Sequence, residues 1–170
     1  MSDYERAVGQ RNVMEQMLGH IPGFQGYMNR ETRRDVDKAA RDYCANKLFS
    51  QKTPIKRVLD ELISGGDIDG ITPFEKLLNQ LDRLAQQIQN ADRGYSGLFD
   101  TVKIDEETLA RVHEHDLSLA EAVTEVEHKV SSLDPSDRAK LMTQVREASE
   151  LLDRVGTYFS KREELMRKGG

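Results

Sequence analysis

No tryptophan occurs in the chain, and no uninterrupted apolar run exceeds the three residues Tyr43-Cys44-Ala45. The second absence excludes a membrane-spanning helix, which needs about 20 consecutive apolar residues, and no secretory leader is expected. A single cysteine, Cys44, cannot close an intrachain disulfide, so the cytoplasm is the expected location. An excess of positive charge is missing too. The net charge of −5 argues against general nucleic-acid binding, which rests on neutralising phosphates.

Recognisable catalytic signatures are also lacking. The segments "GFQG" and "GYSG" do not lead into Gly-Lys-Ser/Thr, so neither is a phosphate loop, and no nucleophile-elbow serine or reactive-cysteine signature appears. Cys44 is expected as a small buried hydrophobe. "GGDIDGITPFEK" resembles a calcium loop only in part. With Gly70 as the invariant glycine, Lys76 falls where the bidentate glutamate belongs, so the segment is expected to be a connector between helices. In "HEHD", His113 and His115 point about 200° apart on a helix and cannot chelate one ion together. Glu125-x-x-His128 has the spacing of di-iron bundles, but those need a second such pair, which the sequence lacks. No cofactor or metal is expected, and a metal-dependent bundle enzyme stands as a remote alternative.

What the chain does contain is helical spacing. Phe74, Leu77, Leu81, Leu84, Ile88 and Ala91 alternate three and four apart. So do Leu109, Val112, Asp116, Leu119, Val123, Val126, Val130 and Leu133, and then Leu141, Val145, Ala148, Leu152, Val155, Phe159, Arg162 and Met166. These are heptad a/d patterns, and no period-two alternation competes with them. Three prolines stand where helices should begin: Thr53-Pro54, Thr72-Pro73 with Glu75 completing a capping box, and Asp134-Pro135. Asp105 is the expected cap of the remaining long helix. The prediction is an all-α single domain. Helices over about 3–18, 29–50, 54–64 and 73–93 form a bundle in 1–93, and 105–167 folds as a long antiparallel hairpin. Its narrow stripe, flanked by His113, His115, Glu127 and Lys129, suggests that part of it projects as a coiled coil.

Asp116 interrupts an apolar seam and should fix helix register by pairing with an arginine or an amide. Arg162, in the facing seam, is expected near Glu106 or the turn of Leu109 instead. Charge is polarised along the chain: residues 28–57 hold nine Lys/Arg against four Asp/Glu, whereas 99–135 hold three against ten. Arg30, Arg33 or Arg34, Lys38 and Arg41 recur as a basic ridge. Acidic interruptions and the lack of a bulky apolar face make membrane adsorption the lesser reading, in which the protein is a peripheral membrane or stress-associated one.

The stretch "IPGFQGYMNR" returns in altered form as "DRGYSGLFDT". Glycines beside aromatics let the backbone turn while a ring is set to one side. Phe24, Tyr27, Tyr95 and Phe99 either plug the bundle's ends or, with Arg30, Arg33, Arg34 and Arg93, form an aromatic–arginine surface suited to an acidic protein partner. Together with "ETLARVHEHDLSL", these segments resemble a group of uncharacterised bacterial all-helical proteins over roughly residues 20–120. That resemblance implies a helical fold and brings no activity to any residue. The expected function is a non-enzymatic cytoplasmic adaptor, scaffold or regulatory subunit that binds another protein, and the long helical faces also admit a homo-oligomer.

Overall fold

The computed structural model describes residues 33–91 and 106–168; within these, the side chains of 33–37, 39, 106–110, 112–113 and 166–168 are left aside. Of the described residues 88% are helical and none is in a strand. Among the described residues five helices follow one another: α1 (Arg33–Ser50), α2 (Lys52–Ser64), α3 (Ile71–Asn90), α4 (Glu106–Ser131) and α5 (Arg138–Lys168). The segment 3–18 and the cap Asp105 lie outside the described residues.

Cross-helix pairs give the directions. Lys129 meets Glu147 and Glu125 meets Arg154, so α4 and α5 run antiparallel. Gln80 bonds the Ser149 carbonyl at 3.1 Å, and Leu84 lies near Gly156, so α3 runs parallel to α5. Arg41 reaches the carbonyls of Ile88 and Gln89, and Lys52, just past the end of α1, reaches Asp82, so α1 opposes α3. Lys47 pairs with Glu127 and thus joins the basic and acidic segments. Helices α1 and α4 therefore run one way and α3 and α5 the other in a four-helix bundle, with α2 packed mainly on α3. One end carries the loops 65–70 and 132–137. At the opposite end α1 and α4 start and α3 and α5 stop.

The heptad positions form the core. Phe74, Leu77, Leu81, Leu84 and Ile88 are buried in α3, and Leu141, Val145, Ala148, Leu152, Val155 and Phe159 in α5. In α4 the stripe is wider than expected, because Leu117, Ala120 and Ala122 are buried beside Leu119, Val123 and Val126. Small residues there let α4 pack on both α5 and α1. The hairpin's turn does not stand out alone either, since Arg138 at the start of α5 pairs with Asp67 of the α2–α3 loop.

Helix starts also differ from expectation. α2 begins at Lys52 and α3 at Ile71, which puts Pro54 and Pro73 third in their helices; neither Thr53 nor Thr72 is the cap. The whole first turn lacks intrahelical N–H partners, so proline fits at any of its positions and marks the turn rather than the first residue. α5 begins at Arg138, and Asp137 caps it by accepting the Lys140 N–H. Asp134 instead accepts from the Ser136 N–H and hydroxyl. At the end of α2, Gly66 has φ +81°, while the Asp67 N–H bonds Leu62 and the Gly66 N–H bonds Ile63. That is a Schellman stop, which favours glycine at this position.

Candidate functional site: a buried polar layer and a braced loop end

Toward the end of the bundle away from the loops, charged side chains enter the core. Arg162 of α5 is 1% exposed and Asp116 of α4 is 4% exposed; the Arg162 Nε–H donates to Asp116 Oδ1. The neighbouring Glu163 also receives Arg162 Nη1, at 3.4 Å. Arg41 of α1, equally buried, donates to the carbonyls that close α3. Cys44 lies one turn further along α1. All four bundle helices thus contribute to one polar layer.

Two corrections follow. Arg162 meets Asp116, the less expected contact; the side chains of 106–110 lie outside those described. Continuing the antiparallel pairs 129–147 and 125–154 along the hairpin brings 162 opposite 116. Arg41 does not belong to a solvent-facing basic ridge, because its guanidinium is spent on α3. Burial, reinforced by the Asp116 carboxylate, pushes the Cys44 thiol up to about 12. A thiol held so far above its ordinary value carries almost no thiolate near neutral pH, as suits a packing residue.

The other expected site residues are placed unevenly. Phe24, Tyr27, Arg30, Arg93, Tyr95 and Phe99 lie outside the described residues, and Arg33 and Arg34 open α1 without described side chains. Glu125 is exposed and paired with Arg154, and His128 is exposed, so this pair does not face the core. Among the described residues no three His, Cys, Asp or Glu side chains converge as metal ligands, and no helix is long and apolar enough to cross a membrane.

Local sequence reading missed the bracing of the loop end. Arg138 holds both oxygens of Asp67 (Nε–Oδ2 2.5 Å, Nη2–Oδ1 3.1 Å), and Asp67 Oδ1 also accepts the Gly70 N–H. A guanidinium fork therefore sits on the carboxylate that a calcium loop would offer to its ion. Beside it, Gln144 accepts from the Asp134 N–H and donates to the Ser132 carbonyl, tying the hairpin turn to α5. Gln51 does the same for the α1–α2 corner by donating to the Lys47 carbonyl. A glutamine inside an apolar series is the one local signal for such braces.

Three partly exposed carboxyls bear on pH. Asp67 is held low by Arg138, Asp134 is brought down to about 2 by Ser136 and Lys140, and Glu147 is held low by Lys129. A carboxyl depressed in the folded state adds stability above its unfolded value, 3.8 for Asp or 4.5 for Glu, and loses it as pH falls through the folded value. The urea midpoint should therefore drop from pH 4.5 toward pH 2, and less steeply in high salt, because these groups are solvent-screened. A midpoint flat across that range would show that the pairs contribute nothing.

Comparison with protein families, with curated proteins and with solved structures returned no match.

Proposed function

We propose that the chain is a non-enzymatic interaction protein, a helical scaffold or regulatory subunit whose partner is another protein. One observation carries this reading. The start of α1, the stop of α3 and the start of α4 share one end of the bundle. In sequence these helix ends flank the two glycine–aromatic stretches, which supports reading the two as one surface at that end. There Tyr27, Tyr95, Phe24 and Phe99, with Arg30, Arg33, Arg34 and Arg93, would present rings and guanidinium groups to an acidic partner, the residue types favoured at binding hot spots. The buried polar layer just inside that end would hold the helices in one register.

Tyr27→Ala combined with Tyr95→Ala tests the reading. A recognition surface keeps its melting temperature and loses partner capture in affinity pull-downs matched for protein amount. A loss of about 3–5 kcal/mol of stability, as large aromatic core truncations give, would make these rings plugs and end the proposal.

A further inference from the structure

The opposite end of the bundle holds the largest exposed apolar side chains among the described residues: Ile68, 75% exposed, and Ile63, 48% exposed. Both belong to a stretch of unusual charge. From Val58 to Glu75 there are five acids, Asp60, Glu61, Asp67, Asp69 and Glu75, and no lysine or arginine. The cations that reach this end from α5 are already engaged, Arg138 by Asp67 and Lys140 by Asp134. Asp60, Glu61 and Asp69 remain exposed. Between the two loops runs a groove of about 500 Å³, lined by Glu61, Leu62, Gly65, Asp67, Pro135 and Arg138. Its backbone is set in advance by the Schellman stop at Gly66, the Asp67–Gly70 bond and the Arg138 fork.

An exposed isoleucine on a mobile loop loses ordering entropy when it binds. On a loop already fixed it loses little, so each contact counts more fully toward affinity. The acid rim selects the sign of the occupant. From this geometry we infer that the loop end is a second docking surface, which takes a basic amphipathic segment of another protein. The segment lays an apolar side chain over Leu62, Gly65 and Pro135, against Ile63 and Ile68. Its lysines or arginines meet Glu61 and Asp69. This surface is independent of the aromatic end and of the partner proposed there.

The test titrates the full chain with three short helical peptides, Leu/Lys, Leu/Glu and Ser/Lys, followed by amide chemical shifts. Binding of the Leu/Lys peptide should move the resonances of residues 61–70 and 135–138, and the other two should bind roughly tenfold more weakly or worse. Ile63→Ser with Ile68→Ser should weaken the Leu/Lys peptide by a similar factor with little change in melting temperature, since Ile68 is mostly and Ile63 about half in water. Glu61→Gln with Asp69→Asn should flatten the salt dependence. Three results would overturn the inference: equal affinity for the isoleucine variant, shifts spread over the whole acidic surface, or concentration-dependent self-association that the isoleucine variant abolishes. The last would make a second copy of this chain the occupant.

Discussion

Replacing Arg162 with methionine should lower folding stability by about 3–5 kcal/mol, the cost of removing one partner from a buried ion pair. The side chain is 1% exposed and its guanidinium is the cation beside a carboxylate that is itself 4% exposed. Methionine fills much the same volume, so packing loss is small and the penalty falls on Asp116, which is left charged in the core or must take up a proton. The double variant Asp116→Leu with Arg162→Met should recover most of the loss. Urea denaturation of both variants at pH 7 decides the matter. Equal loss in the single and the double variant would assign the cost to packing and remove the pair from the account.

Phe74→Ala should cost a similar amount, about 3–5 kcal/mol, by another mechanism. Phe74 has no exposed surface and lies in the first turn of α3, directly after the braced loop. Alanine would leave a cavity where α3 joins the core, and a close-packed interior limits how far it can collapse. Phe74→Leu should cost less than about 1.5 kcal/mol, because most of the volume is kept. Since domains of this kind are stable by roughly 5–15 kcal/mol, either severe variant removes a large share of the total. A Phe74→Ala protein that melts like the parent would mean that the start of α3 adds little to the core.

Much of the bundle is legible in the sequence because a helix buries one stripe, and a stripe repeats every three or four residues. The series from Phe74 to Ile88 and from Leu141 to Phe159 is periodic in sequence and buried in the structure. Asp116 was conspicuous for the same reason, as a carboxylate at an apolar position. Partners were harder to read. Whether Arg162 meets residue 106 or 116 depends on a shift of a few residues in the hairpin turn, and the first helical residue of α5 is Arg138 rather than Pro135. The fork between Asp67 and Arg138 spans 71 residues of sequence and leaves no local pattern at all. Arg41 looked like one rung of a surface ridge because its spacing matched; only the position of α3's closing carbonyls shows that it turns inward.

The polar layer has a consequence for how such a chain can change over generations. Asp116 and Arg162 are 46 residues apart and act as one unit. A lineage that loses either one first must cross a poorly folded intermediate, while one that exchanges both for apolar residues arrives somewhere stable. Substitutions at these two positions should therefore be coupled in descent, appearing together or not at all. The exposed pair Glu125–Arg154 on the same two helices costs little to break, so its members are left to drift separately. Two ion pairs across one helical seam thus differ in heritable constraint, and depth of burial sets the difference.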